Sequence, residues 1–227
     1  MPEQNALSLS PLPLDVSGRY LVLSDVHRRE WVAEAARELM REHSLEEAVL
    51  LGDITHFGPP AYAEDFIRSL GARCYAVPGN CDPLGTEAFI ERSAVCLHRH
   101  KVRVDGRTWG GLGGSNPSVF RTPFEMPEEE ISRSLRPIME EGMVLVLHCP
   151  AYGTFDLTYS NRHVGSRAVR DAVERCRPAV VLSGHIHEDR GVTMKEGVWY
   201  MNPGAAKDHY AGMMELGDEV RLTLLDL

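Results

Sequence analysis

The chain has 227 residues and carries 24 Lys and Arg against 33 Asp and Glu, which gives a formal net charge of −9. This length buries one full hydrophobic core but leaves little room for a second domain, and the acidic balance argues against a broad nucleic-acid-binding surface. No run approaches the roughly 18 apolar residues of a membrane span, and the N-terminus lacks the charged and apolar regions of a signal peptide. The five cysteines are odd in number and contain no C-x-x-C pair, which favours the reducing cytoplasm over a disulfide-bonded protein.

A short arm precedes the regular pattern. Residues 1–18 contain three prolines and four leucines and predict an extended segment, which could pack across the interface of a homo-oligomer. Residues 19–227 are predicted to form a single domain.

From residue 19 onward, strand-like and helix-like segments alternate. Strands are predicted at 19–24, 48–51, 73–77, 143–147 and 179–182. Helices are predicted at 30–43, 60–70, 84–92, 127–141 and 164–176. Two further strands, 95–104 and 107–112, would meet at a turn at Gly106, whereas the glycines of 110–117 predict a loop with close backbone approaches.

The pattern changes after residue 190, where short β-like runs follow one another with no helix between them. These runs cover 191–195, 198–201, 210–215 and 219–226. A first half of parallel type joined to an antiparallel tail predicts an α/β protein with two sheets packed face to face and helices outside.

Five of the apolar runs end directly in a polar cluster. The clusters are Asp25-x-His27, Gly52-Asp53, Gly79-Asn80-Cys81-Asp82, His148-Cys149-Pro150 and Gly184-His185-x-His187. Because the carboxyl ends of strands border the ligand crevice of an open α/β sheet, we expect the clusters to converge although they are distant in sequence.

Together these clusters offer two carboxylates, one carboxamide and four imidazoles. The candidate ligands are Asp25, His27, Asp53, Asn80, His148, His185 and His187. This mixed oxygen and nitrogen set suits Mn, Fe, Zn, Co or Ni better than a thiolate zinc site. Seven ligands are too many for one four-coordinate ion and match two ions that share a carboxylate, and such a pair would attract a phosphate anion.

Each cluster alone also has an ordinary structural explanation. Asp25-x-His27 could be a turn or a helix cap, Gly52-Asp53 a plain strand end, and His148 a hydrogen-bonded core histidine. Their joint occurrence at five strand ends favours the metal site.

In this order, from Asp25 to Gly204, the motifs resemble those of the calcineurin-like metallophosphoesterase superfamily, and most closely its small prokaryotic phosphodiesterases with Gly-Asn-Cys-Asp. The resemblance implies a four-layer α/β/β/α sandwich of two mixed sheets flanked by helices. It also implies that one metal is held by Asp25, His27 and His187, the second by Asn80, His148 and His185, and that Asp53 bridges them.

The resemblance implies a two-metal-dependent phosphoesterase, above all a phosphodiesterase, in which a metal-bridging hydroxide attacks a small phosphorylated substrate. Manganese is the expected metal, with Fe, Ni, Co and Zn as alternatives. Two other functions remain open: a phosphomonoesterase, and a protein-binding scaffold that keeps the fold without catalysis, as the retromer subunit of this superfamily does.

One position departs from the family pattern. Most members place a histidine after the asparagine, where it donates a proton to the leaving oxygen and is oriented by the following acid. Here Asn80 is followed by Cys81 and Asp82, and Cys81 is either an inferior proton donor or a packing residue. We therefore expect a preference for good leaving groups such as aryl esters.

Three residues are predicted on the substrate side: Arg28, Asn116 and His163. Arg28 could hold a phosphate with its bidentate guanidinium or could be a solvated residue at a helix start. The N-terminus of the helix predicted at 164–176 could hold an anion, and the run from Glu128 to Glu130 is predicted to be solvated. His56 and His98 could equally be surface residues.

Overall fold

Residues 18–227 are described by the computed structural model, and the predicted arm lies outside them except for Gly18, which begins the first strand. The strands of the first half are β1 (Gly18–Leu23), β2 (Glu47–Leu50), β3 (Arg73–Ala76), β4 (Val95–Cys96), β5 (Lys101–Val104) and β6 (Arg107–Leu112). Those of the second half are β7 (Val144–Leu147), β8 (Val180–Leu182), β9 (Gly191–Lys195), β10 (Val198–Asn202), β11 (Tyr210–Leu216) and β12 (Val220–Asp226). The helices are α1 (Trp31–Glu42), α2 (Ala61–Leu70), α3 (Thr86–Ile90), α4 (Glu128–Leu135) and α5 (Arg167–Cys176).

The strands form two mixed sheets of six. The first has the order β12-β11-β1-β2-β3-β4, in which β1 to β4 run parallel and β11 and β12 are added antiparallel beside β1. The second has the order β5-β6-β7-β8-β10-β9, with parallel pairing from β6 to β10 and an antiparallel strand at each edge.

Alternation along β1 shows how the layers pack. Tyr20 and Val22 lie between the two sheets, whereas Leu21 and Leu23 face α1 and α2 on the outer side. Helices α4 and α5 cover the outer face of the second sheet in the same way. The predicted α/β/β/α sandwich is therefore confirmed, and each sheet is buried on both faces, as parallel strands require.

The strand prediction for 107–112 and the loop prediction for 110–117 overlap, and the structure confirms the strand, because Gly110 to Leu112 continue β6 instead of starting a loop. In the parallel ladder Gly111 is paired with Val146 of β7, and a Cβ atom on Gly111 would lie 2.5 Å from the Val146 carbonyl oxygen. Glycine here serves close strand packing, and the loop begins only after Leu112.

Three other boundaries were wrong. The helix predicted to reach residue 141 ends at Leu135, because Pro137 lacks the N–H that would continue it. The strand predicted at 95–104 is divided into β4 and β5 around Arg99, whose φ of +59° breaks the extended chain. Helix α5 begins at Arg167 instead of residue 164, because the Ser166 hydroxyl caps it by accepting the N–H of Val169 at 3.1 Å.

The antiparallel tail is divided between the two sheets. The β9–β10 hairpin extends the second sheet beside β8, and the β11–β12 hairpin extends the first beside β1. Within residues 18–227, none of the helices has the length and apolar character needed to cross a membrane.

Candidate metal centre

The five polar clusters meet where the two sheets come together, and backbone hydrogen bonds hold their loops in place. The amide of Asp25 donates to the Gly52 carbonyl at 3.1 Å, that of His27 to the Asp53 carbonyl at 2.9 Å, and that of Gly184 to the His148 carbonyl at 3.0 Å. The strand ends therefore converge, as predicted.

Unusual backbone angles aim the side chains inward. Asp25, His27, Asp53 and His185 have φ values of +56°, +47°, +50° and +69°, in the left-handed region that side-chain-bearing residues seldom adopt. Gly79 allows the loops to touch, since a Cβ atom there would collide with the backbone nitrogen and carboxylate of Asp53.

The first ligand group consists of Asp25, His27 and His187. His187 Nε2 is 3.0 Å from Asp25 Oδ1, and His27 Nε2 is 3.6 Å from the same oxygen. The second Asp25 oxygen accepts the Ser24 hydroxyl at 2.5 Å and the His185 backbone N–H at 3.0 Å. One carboxylate oxygen therefore stays directed at the two imidazoles.

Asp53 directs its two oxygens to two different groups. Oδ2 lies 3.6 Å from His27 Nε2, in the first group, and Oδ1 lies 3.5 Å from His148 Nε2. The Cys81 backbone N–H donates to Oδ1 at 2.7 Å and fixes the orientation of the carboxylate.

The second group contains Asn80, His148 and His185. His148 Nδ1 is 2.7 Å from the Leu51 carbonyl oxygen, which can only accept, so Nδ1 carries the proton. Nε2 lies 2.7 Å from Asn80 Oδ1, so a lone pair on Nε2 and the amide oxygen would both be satisfied by one shared cation. The His185 ring packs against that of His148 at a centroid distance of 5.0 Å.

The donor set fits divalent cations by distance as well as by type. Two atoms that each lie about 2.1 Å from one ion are about 3.0–3.4 Å apart at octahedral or tetrahedral angles. The separations of 3.0–3.6 Å among Asp25, His27, Asp53, His148 and His187 are of this size. His27 Nε2 is moreover buried without a hydrogen-bond partner among the described residues, which a coordinated ion would supply.

The electrostatics of the site keep the Asp25 carboxylate charged. Burial alone would raise the pKa of Asp25, but the charge and hydrogen bond of His187, together with the nearby His27 ring, outweigh it and hold the pKa well below its usual range. Burial lowers the pKa of His187, and the Asp25 charge outweighs it and raises that pKa. Burial, together with the charge of His148, lowers the pKa of His185 to about 4.

The tetrapeptide that departs from the family pattern is buried beside this site. The Cys81 thiol clusters with His27 and His56, and burial, followed by the Asp53 charge, raises its pKa. Asp82 does not orient a proton donor: its oxygens accept the backbone N–H groups of Thr55 and Gly79, both at 2.7 Å. Its role in the structure is to fasten the loop after β2 to the loop after β3.

The predicted substrate residues lie in three different surroundings. The Arg28 guanidinium donates to the Gly58 carbonyl at 3.1 Å, and its neighbour Arg29 lines the opening beside His187. Asn116 lines a cavity next to His185. His163 pairs with Asp156 at 2.6 Å and is not among the residues that line either opening.

The anion predicted at the N-terminus of α5 belongs to the protein itself. The Glu128 carboxylate accepts the Ser166 hydroxyl at 2.7 Å and the N–H groups of Ala168 and Arg167 at 2.8 and 3.2 Å. The run from Glu128 to Glu130 does begin a helix, as predicted, but the prediction that Glu128 is solvated was wrong, since the packing of α4 against α5 brings its carboxylate to the N-terminus of α5.

Two residues near the site were missed as functional candidates by the sequence reasoning. His56 Nδ1 is 3.1 Å from His27 Nδ1, and Thr122 accepts the Asn80 side-chain N–H at 3.0 Å. His56 follows Asp53 by three residues, which was the one available indication, whereas nothing in the sequence pointed to Thr122.

The chain matches the calcineurin-like phosphoesterase superfamily domain over residues 19–217 and belongs to that superfamily. The expected family is thereby confirmed, and with it the general function of a metal-dependent phosphoesterase.

Three relatives illustrate the match. A protein of Methanocaldococcus jannaschii, MJ1162, is 31% identical over 164 residues, which cover 68% of this chain and 75% of that protein. An archaeal phosphodiesterase superimposes with a TM-score of 0.54 at 16% identity, over 91% of this chain and 99% of the other. A dimetal phosphatase from Danio rerio superimposes with a TM-score of 0.58 at 10% identity, over 93% and 99%. At 16% and 10% identity, the likeness to these two solved structures shows a common fold.

Proposed function

We propose that this protein is a phosphodiesterase that uses two divalent cations, with manganese as the preferred metal. The observation that carries the proposal is the orientation of Asp53, whose two oxygens face His27 on one side and His148 on the other. A carboxylate placed in this way can bridge two ions. In this proposal Asp25, His27 and His187 hold the first cation, and Asn80, His148 and His185 hold the second.

When bound, two such cations supply an acidified water and neutralise charge on the phosphoryl oxygens. The protein's own groups prepare the site. The Leu51 carbonyl keeps the proton of His148 on Nδ1, and the Cys81 amide fixes Asp53. With Asp25 and Asp53 as the carboxylate ligands, the centre would keep a net positive charge, which favours an anionic phosphate ester in an acidic protein.

A diester is favoured because the centre is open on two sides. His187 lines both a cavity of about 740 Å³ and an opening of about 410 Å³, so a phosphate at the centre has room for a substituent in each direction. The buried thiol of Cys81 is a poor proton donor, because its pKa is raised, and this favours esters with good leaving groups.

The test is hydrolysis of bis(p-nitrophenyl) phosphate by protein loaded with Mn²⁺, together with its metal content. We expect two bound ions per chain, and in Asp53→Asn at least one ion lost and turnover reduced by about 10²-fold or more. The matched control is Asp171→Asn, which removes an exposed carboxylate on α5.

Three results would contradict the proposal in distinct ways. Unchanged turnover in Asp53→Asn would contradict the proposal that Asp53 bridges the two cations. Faster hydrolysis of p-nitrophenyl phosphate than of the diester would indicate a monoesterase. Two bound ions without turnover of either ester would favour the protein-binding scaffold.

We also propose a reducing compartment, the cytoplasm, as the site of action. All five cysteines are free thiols, and three of them, Cys74, Cys81 and Cys149, are buried. Free thiols in this number are typical of a reducing compartment. Activity that survives in a cytosolic fraction and is absent from secreted or membrane fractions would be the expected outcome.

A further inference from the structure

A cavity of about 740 Å³ borders the metal centre on one side. Its walls are two loops, residues 116–120 and 158–164, and its floor is the turn 185–188 that carries His185 and His187. We call this space the aromatic cavity. Its volume is within the range of sites that bind small organic ligands.

The rim of the aromatic cavity exposes large apolar side chains. Phe120 is 82% exposed, Tyr159 is 92% exposed, and Val119 beside them is 90% exposed. Such side chains lose favourable burial when they face water, and a group of them beside a reactive centre marks a binding surface. Because His185 and His187 line the same space, a substrate bound at the metal centre can reach these side chains.

Both walls are fastened to the metal-binding segments. The Asn116 side chain donates to the Val164 carbonyl at 3.1 Å and joins the two loops, and the Tyr159 amide donates to Glu188 at 3.1 Å. The first loop is also tied to Asn80 through Thr122. Because these contacts already hold the walls, little ordering is needed when a ligand enters.

The opening on the other side of His187 has a different character. It is lined by His27, Arg29, His56 and Lys207, so it offers cations and imidazoles in place of exposed apolar rings. A substrate with one apolar and one polar or anionic substituent would therefore bind in a single direction, with the apolar substituent in the aromatic cavity.

We propose that the aromatic cavity binds an aromatic ring carried by the phosphate ester, and that Phe120 and Tyr159 determine this specificity. The inference rests on the proposed function and names its substrate class. A planar, rigid ring can pack against both side chains, which line the same cavity beside His185 and His187.

The experiment measures binding, so it does not depend on turnover. Titration calorimetry on the Mn²⁺-loaded protein compares methylphosphonate, phenylphosphonate, cyclohexylphosphonate and octylphosphonate, which present the same phosphonate to the metals. We expect phenylphosphonate to bind at least tenfold more tightly than methylphosphonate and more tightly than the cyclohexyl compound. In Phe120→Ser and Tyr159→Ser the preference should fall to about threefold or less, with methylphosphonate affinity unchanged.

Met194→Ser is the control, because Met194 is an exposed apolar residue outside this cavity, and it should keep the full preference. Equal affinities for the methyl and phenyl compounds would overturn the inference and leave the metal centre intact. If octylphosphonate bound most tightly, the cavity would be specific for an acyl chain instead of an aromatic ring, and the inference would also be overturned. If no phosphonate bound, with or without Mn²⁺, the proposed function itself would fail, and the inference with it.

Discussion

Glu128 offers a sharp test of how helix α4 stabilises the N-terminus of α5. Its carboxylate accepts three hydrogen bonds at the start of α5, from the Ser166 hydroxyl and from the N–H groups of Arg167 and Ala168. The substitution Glu128→Gln keeps the size of the side chain, but it removes the charge and replaces one acceptor oxygen with a donor that faces an N–H group.

The expected cost follows from these contacts. Replacing charge-assisted hydrogen bonds by neutral ones costs about 1 kcal/mol, and losing an anion at a helix N-terminus costs about 0.3–1 kcal/mol. The unmatched donor adds a similar amount, which is limited because Glu128 is half-buried and water can reach the group. We therefore expect the free energy of unfolding to fall by about 2 kcal/mol, which lowers Tm by about 4–8 °C in a domain of this size.

Thermal and urea unfolding of the metal-free protein measure this change without a contribution from bound cations. The matched control is Glu129→Gln, which makes the same charge change one residue further along α4 at an exposed position. Equal Tm values for the two variants would show that the Glu128 contacts contribute nothing beyond net charge, and the account of the α5 N-terminus would be refuted.

Three further predictions concern pH, packing and metal. Burial lowers the pKa of His98 to about 4, so below pH 6.5 the unfolded chain binds more protons at this residue; His98 alone should lower the free energy of unfolding by about 2 kcal/mol from pH 7 to pH 5 in EDTA, and urea unfolding of His98→Asn at both pH values should show a pH dependence smaller by that amount, whereas an unchanged pH dependence would contradict it. Gly79→Ala should weaken Mn²⁺ binding at least tenfold by calorimetry, because its Cβ atom would displace Asp53, whereas an unchanged affinity would rule out the tight approach. Chelation by EDTA should lower the Tm of the wild-type protein by about 5–10 °C relative to saturating Mn²⁺, and identical melting curves would argue against a bound metal.

The sequence predicted the layers and the ligand clusters because both follow from local patterns. Each apolar run that ends in a polar cluster marks a strand and its carboxyl end, and parallel strands bring such ends together. It did not predict the partner of Glu128, which depends on the packing of α4 against α5. Nor did it predict the role of Asp82, because the backbone amides of Ile54 and Thr55, in a loop distant in sequence, decide it together with that of Gly79.

The glycine-rich segment shows a second limit of local patterns. Gly110 and Gly111 have low intrinsic preference for a strand, yet they are in β6 because the neighbouring chain leaves no room for a side chain. Intrinsic preference thus gave way to tertiary packing, which is specified by residues such as Val146 that lie far along the chain.

The metal centre is held in shape by the fold, and this determines what metal loss should do. Four residues of the site have positive φ, at a cost of about 1 kcal/mol or more each. Backbone hydrogen bonds from Asp25 to Gly52 and from His27 to Asp53 hold the loops in these conformations. These loops connect strands whose side chains fill the core between the two sheets. Because the core does not depend on cations, metal-free protein should stay folded with its ligands close to their bound positions. What the metal-free protein retains is an unfavourable electrostatic energy, because the carboxylates of Asp25 and Asp53 are buried together. Binding of divalent cations relieves this energy, which gives the site its affinity for them.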